Sequence, residues 1–66
     1  MTSAIDGYVK GKLSGANLYR ARQKDPGAKS PENPFPPSDY LAYVEWDRGF
    51  NDGFEQAARQ GMREAA

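Results

Sequence analysis

The chain has 66 residues, neither cysteine nor histidine, and a formal net charge of zero from nine basic and nine acidic residues. A chain this short forms one small domain, because it buries only about 60% of the surface that its unfolded form exposes. Disulfide frameworks, thiolate nucleophiles, imidazole bases and the usual zinc and haem sites are excluded, so we predict a protein that is not an enzyme and uses no metal or cofactor. No apolar stretch is long enough to cross a membrane. The chain is therefore predicted to be soluble and cytoplasmic, with no membrane partner.

The first predicted element is a helix from about residue 3 to about residue 23. Thr2 or Ser3 can cap its N-terminus, and Asp6 places a negative charge near the positive end of the helix dipole. At about 100° per residue, small and apolar residues gather on one side that we expect to face the core. They are Ala4, Tyr8, Gly11, Gly15, Leu18 and Tyr19, with Ile5, Val9 and Ala16 on the shoulder.

Residues 24–37 hold all five prolines and are predicted to form a long connecting loop. Proline lacks the amide donor that a helix needs, and the residue before each proline is pushed towards extended geometry. A connection of this length in a compact domain is typically either functional or disordered.

The second predicted helix runs from about residue 38 to about residue 63, with Ser38 as its N-cap. Its apolar arc collects Tyr40, Tyr43, Val44, Trp46, Phe50, Gly53, Phe54, Ala57 and Gly61. The predicted fold is all-α, a single domain over residues 1–66 in which two helices form an antiparallel hairpin joined by the long Pro-rich loop.

Glycines recur every four residues in the first helix, at Gly7, Gly11 and Gly15, and in the second at Gly49 and Gly53. Each interior glycine costs a helix about 1 kcal/mol relative to alanine, so a compensating contact is expected. The favoured interpretation is tight packing within the hairpin, because a missing side chain lets another backbone or a ring approach closely. The alternative is a groove for a partner or a second copy of the chain, which leaves a homodimer open.

Charge is divided unevenly along the chain: residues 1–31 carry +4 and residues 32–66 carry −4. The two halves are expected to attract one another. The alternative hypothesis is a phosphate-contacting patch at the end of the first helix and the start of the loop, formed by Tyr19, Arg20, Arg22, Lys24 and Lys29. Asp47 falls inside the apolar arc, where we expect it to pair with a cation of the first helix or, less favoured, to anchor a partner.

Three short motifs follow one another along most of the chain: Gly7-Tyr8-x-x-Gly11-x-x-x-Gly15, then Asn33-Pro34-Phe35, then Trp46-x-x-Gly49-Phe50. Their order resembles the ribosome modulation factor family and its CrpP-like relatives, small two-helix proteins of bacteria and mobile elements. The family pattern is Gly-Tyr-x-x-Gly, a later Cys-Pro-Tyr, and a closing Trp-x-x-Gly-Trp. Tyr8 and Gly11 match the first motif, and Trp46, Gly49 and Phe50 match the last. Asn33, Pro34 and Phe35 stand where Cys-Pro-Tyr would be, and the loop here is longer and richer in proline.

The resemblance implies a helical hairpin that binds the small ribosomal subunit and its rRNA and modulates translation. The ribosome-binding relatives are strongly basic, whereas this chain is neutral, which removes most of the counterion-release contribution to rRNA affinity. The alternative prediction is a phage- or mobile-element-encoded inhibitor that binds a host protein, such as a defence protein. The predicted partner-binding residues are Tyr19, Arg20, Arg22, Lys24, Lys29, Asn33, Pro34 and Phe35. Some CrpP-like proteins are proposed to modify antibiotics, but this chain shows neither the walls of a pocket nor a nucleophile.

Overall fold

The computed structural model describes residues 4–65, with side chains described through residue 61. Residues 4–65 contain two α-helices and no strand: α1 spans Ala4–Lys24 and α2 spans Tyr40–Ala65. The helices pack against each other. The predicted all-α class with two helices is therefore confirmed.

The ends of both helices fall within one or two residues of the predicted ends, which is the usual uncertainty of a helix boundary. The predicted caps of the first helix, Thr2 and Ser3, lie outside the described residues.

The second helix begins later than predicted. Its first backbone hydrogen bond runs from the Tyr43 amide to the Asp39 carbonyl, at 2.9 Å, so Asp39 and not Ser38 is the N-cap. The Asp39 amide donates to the carbonyl of Pro36, also at 2.9 Å, and closes a turn. This turn occupies the position where the sequence predicts the first helical residues.

The two helices run in the same direction, so the predicted antiparallel hairpin is wrong. Gly7 packs on the backbone of Ala42, and Gly15 packs on the backbone of Phe50. Moving forward along α1 therefore moves the contact forward along α2 by the same number of residues. In an antiparallel pair the contact would move backwards.

The physical reason lies in residues 25–39, which connect the helices and which we call the strap. At a rise of about 1.5 Å per residue, α1 is about 32 Å long. A Pro-rich segment of the strap's length reaches about 45 Å at about 3.1 Å per residue. The strap is therefore long enough to return along the whole of α1, so that α2 begins beside the start of α1.

The glycine row is the surface through which the helices touch, which confirms the packing interpretation. A Cβ atom on Gly11 would lie 2.9 Å from the Cα atom of Trp46, closer than real side chains approach a backbone. On α2, a Cβ atom on Gly53 would lie 2.9 Å from the Cα atom of Lys12. The backbone of the same chain thus fills the glycine row and leaves no space there for a second copy of the chain.

Large side chains contribute little to the core. The buried hydrophobic residues are Leu18, Ala42, Trp46 and Ala57. The Trp46 ring stacks on Phe50, with ring centroids 5.2 Å apart. The resulting molecule is a flat slab with extents of 42 × 22 × 11 Å, the thickness of a single helix layer.

Replacing Gly11 with alanine should destabilise the protein by about 1–2 kcal/mol, because overpacking a filled contact costs up to about 3 kcal/mol and the better helix propensity of alanine returns about 1 kcal/mol of this. Gly27→Ala is the matched control: Gly27 is exposed, and its added Cβ would meet only Asp25 Oδ1, at 3.4 Å. The control should shift stability by about 1 kcal/mol at most. Urea unfolding followed by circular dichroism measures both, and equal stabilities would contradict the packing described above.

Candidate functional site

Arg22, near the end of α1, holds the beginning of the strap. Its Nε donates to the carbonyl of Ala28 at 3.1 Å, and its Nη2 donates to Ser30 Oγ at 3.2 Å. The guanidinium carbon lies 5.9 Å from the centroid of the Phe54 ring, within cation–π range. Arg22 is half-buried by these contacts, so the structure places this predicted partner-binding residue in the attachment of the strap.

Asn33 attaches the second part of the strap to α2. Its Nδ2 donates to the carbonyl of Tyr43 at 2.8 Å, and its Oδ1 accepts a hydrogen bond from the Phe35 amide at 3.0 Å. The same Nδ2 lies 3.4 Å from Asp47 Oδ1. Asp47 is exposed and meets this amide instead of a cation of α1, so the favoured internal ion pair is wrong. The amide of Asn33 uses its donor and its acceptor to fold the strap against the helix.

The two residues that follow Asn33 point in different directions. Phe35 is half-buried, and the Lys10 ammonium lies 5.6 Å from the centroid of its ring. Pro34 is exposed. The three residues of the predicted Asn33-Pro34-Phe35 site therefore do not share one surface. Asn33 and Phe35 hold the strap against the helices, and the Pro34 ring faces solvent.

The exposed cations of the predicted phosphate-contacting patch are Arg20, Lys24 and Lys29. The first two lie on the last turns of α1, and Lys29 lies on the strap as it returns along α1. Tyr19 is half-buried, and its ring meets Phe54 edge to face with centroids 5.6 Å apart. The structure thus brings these charges to one end of the slab, with the edge of an aromatic ring beside them.

Among the side chains of residues 4–61, no ion pair joins α1 or the strap to α2. The two ion pairs among the described side chains both lie within α2: Arg48 with Glu45, at 3.7 Å, and Arg59 with Glu55. Arg20, Lys24 and Lys29 therefore form no ion pair with a described acidic side chain of α2. Lys12 of α1, by contrast, lines one surface groove with Asp52 and Glu55.

A polar bridge between the helices is formed by Tyr8 and Asp52. The Tyr8 hydroxyl donates to Asp52 Oδ2 at 2.8 Å. This hydrogen bond, desolvation and the negative charge of Asp52 raise the pKa of the Tyr8 phenol above its ordinary value.

One face of α1 is covered by neither α2 nor the strap. Ile5, Val9 and Leu13 lie there, with exposed fractions of 75%, 49% and 61%. A shallow groove of about 250 Å³ runs from Val9 and Leu13 to Ala57 of α2. The placement of Ile5 and Val9 towards the core is wrong, because α2 packs on the glycine row and not on the larger apolar side chains.

On α2, Tyr40 and Val44 were expected in the apolar arc and are likewise exposed. Sequence analysis missed the exposed stripe on α1, although a signal was present: its large aliphatic residues recur at every fourth position, away from the glycines.

Among residues 4–65, no helix is long and apolar enough to cross a membrane. The described side chains also contain no cluster of three or more acidic, histidine or cysteine residues arranged to hold a metal ion.

Comparison of the chain with protein-family models, with curated proteins and with solved structures finds no match. The family resemblance of the three motifs therefore stays a prediction. The structure adds a physical role for each motif: the glycines and Trp46 form the contact between the helices, and Asn33 attaches the strap.

Asn33→Ala should destabilise the protein by about 1–2 kcal/mol, because two hydrogen bonds are lost and each contributes about 0.5–1.5 kcal/mol. Hydrogen exchange at the Phe35 amide should accelerate, since Asn33 Oδ1 is its acceptor. Asn51→Ala, at an exposed position of α2, is the control and should leave that amide protected. Unchanged exchange at Phe35 in Asn33→Ala would show that the strap is held by other contacts.

The Tyr8–Asp52 hydrogen bond predicts weaker folding at alkaline pH. Because the pKa of Tyr8 is raised, the folded state holds the phenol proton more tightly than the unfolded state does. The Tyr8–Asp52 hydrogen bond contributes fully to the free energy of unfolding below about pH 10, and this contribution is lost as the pH rises through the raised pKa of Tyr8. Tyr8→Phe should therefore lose less stability than the wild type between about pH 9 and about pH 11. Tyr40→Phe, at an exposed tyrosine, should follow the wild type, and identical pH profiles for both variants would rule out this coupling.

Proposed function

We propose that the protein is a non-enzymatic binding protein that associates with the small ribosomal subunit through its rRNA and modulates translation. The observation that carries the proposal is the exposed basic group formed by Arg20, Lys24 and Lys29, separated from the acidic residues of α2. Phosphate contacts require a local positive surface and not a positive net charge. A neutral chain with segregated charges meets that requirement.

The edge of the Tyr19 ring beside the basic group supports the same role. Tyr19 is half-buried, so part of its ring is accessible; Phe35 is also half-buried, but it lies against Lys10, towards the start of α1. Proteins recognise single-stranded RNA by stacking unpaired bases on such rings. The site of action that fits this role is the cytoplasm of a bacterial cell, with the protein encoded by the host or by a phage or other mobile element.

A second candidate function, inhibition of a host protein, is favoured by the strap. Pro31, Pro34, Pro36 and Pro37 are exposed, while the strap itself is held by Arg22 and Asn33. A segment that is already ordered loses little conformational entropy on binding. The strap would then be the surface that a host protein meets.

Co-sedimentation of the purified protein with bacterial ribosomal subunits at several salt concentrations tests the ribosomal proposal. Arg20→Glu combined with Lys24→Glu should weaken binding and lower the slope of log affinity against log salt by about two, one for each phosphate contact. Arg48→Glu combined with Arg59→Glu makes the same change in net charge on the acidic helix. This control should bind as the wild type does.

Equal binding by both double variants would reject the basic group as the rRNA contact. Recovery of a discrete non-ribosomal protein from a lysate, with no salt-sensitive recovery of the subunit, would favour the inhibitor function. Substitution of Pro34, whose ring faces solvent, would then show whether the strap carries that contact.

A further inference from the structure

The uncovered face of α1 is a continuous apolar stripe made of Ile5, Val9 and Leu13. The three residues are spaced by four, so they lie one above the other on the helix. Ala16, which is half-buried, continues the stripe towards the groove that leads to α2. Side chains this large and this exposed are a feature of interaction surfaces when they form a contiguous patch.

The molecule exposes more surface than a monomer of its mass. Its accessible surface is 4933 Å², whereas the scaling relation for monomers gives about 4,200 Å² for 7.3 kDa. The excess, roughly 750 Å², is close to the area of about 800 Å² that each partner buries in a standard interface. A second copy placed against the stripe would cover part of this excess surface.

The thinness of the slab leads to the same conclusion. At 11 Å it is one helix layer thick, whereas stable domains pack at least two layers around a core. Leu18 and Trp46 are the only large hydrophobic side chains that are buried in the described part of the chain. Pairing two copies through the stripe places a second helix against α1, on the side nearly opposite the glycine row, and covers apolar side chains that the small core leaves exposed.

We propose that the stripe is a homodimer interface, in which the α1 helices of two copies pack antiparallel about a two-fold axis at Val9. A symmetric interface requires a surface that is complementary to itself. The stripe has this property, since Ile5 and Leu13 lie at equal distances on either side of Val9. In the dimer, Ile5 of each copy meets Leu13 of the other.

The antiparallel orientation is favoured by the helix dipoles. Parallel packing would align the two helix dipoles, whereas antiparallel packing opposes them. The interface is therefore more favourable in the antiparallel direction.

The dimer leaves the surfaces of the proposed function accessible. Lys29 lies on the strap, on another side of α1 from the stripe. Arg20 borders the groove that Val9 and Leu13 line, but it lies beyond the end of the antiparallel contact. At about 1.5 Å per residue, the two Arg20 residues would lie about 33 Å apart along the helix axis. The homodimer does not depend on ribosome binding, and it can be tested with the purified protein alone.

Sedimentation equilibrium of the full chain tests the proposal. The wild type should show a mass of about twice 7.3 kDa at tens of micromolar, and Leu13→Glu should weaken association at least tenfold. Leu41→Glu is the matched control, because Leu41 is 64% exposed and Leu13 is 61% exposed. The control should remain dimeric, and circular dichroism should show both variants folded.

Disulfide crosslinking tests the orientation of the two copies. Only the introduced cysteines can react, because the chain has no native cysteine. Under mild oxidation, a mixture of Ile5→Cys and affinity-tagged Leu13→Cys should form the mixed disulfide in preference to either homodisulfide. Val9→Cys should crosslink to itself, and Leu41→Cys should not.

Several outcomes would overturn the proposal. A wild-type mass of 7.3 kDa at all concentrations up to about 1 mM would show that the stripe does not bind a second copy, and would leave it to a different protein. Loss of the dimer in Leu41→Glu but not in Leu13→Glu would place the interface on α2. A preference for the Ile5→Cys homodisulfide would contradict the antiparallel arrangement.

Discussion

The backbone-to-backbone contact between the glycine row of α1 and the facing turns of α2 is the constraint on which the rest of the structure depends. Each glycine lets a main-chain segment of the other helix occupy the space of a side chain. Because Gly7 and Gly15 meet Ala42 and Phe50, the contact sets both the register and the parallel direction of the helices. It also turns the larger apolar residues of α1 away from the partner helix.

The strap is a consequence of that direction. Parallel helices require a connection that returns along their length, and the prolines keep the connection extended enough to do so. Arg22 of α1 then holds the beginning of the strap at Ala28, and Asn33 attaches its second part to α2, so that specific hydrogen bonds fix the return path. Arg22, which the sequence analysis offers as a phosphate contact, thereby holds the strap, whereas Arg20 and Lys24 stay exposed.

The surfaces that remain divide the molecule by chemistry. Basic residues gather at the end of α1 and on the early strap, acidic residues lie on α2, and the stripe of Ile5, Val9 and Leu13 is apolar. This division lets a neutral chain carry a local positive surface and a separate apolar face. The basic group proposed for nucleic-acid binding and the stripe proposed for self-association consist of different residues, which meet where Arg20 lines the groove beside Val9 and Leu13.

The local sequence determined the helices and the break between them, because proline geometry, glycine spacing and apolar periodicity act within a few residues. It also marked the glycines as a close contact. The tertiary structure alone decided the direction of α2, since direction depends on which distant backbone fills the glycine row and on the path of the strap. The same holds for Arg22 and Asp47: a charge near a helix end or within an apolar arc suits several partners, and only the folded chain brings one of them within hydrogen-bonding distance.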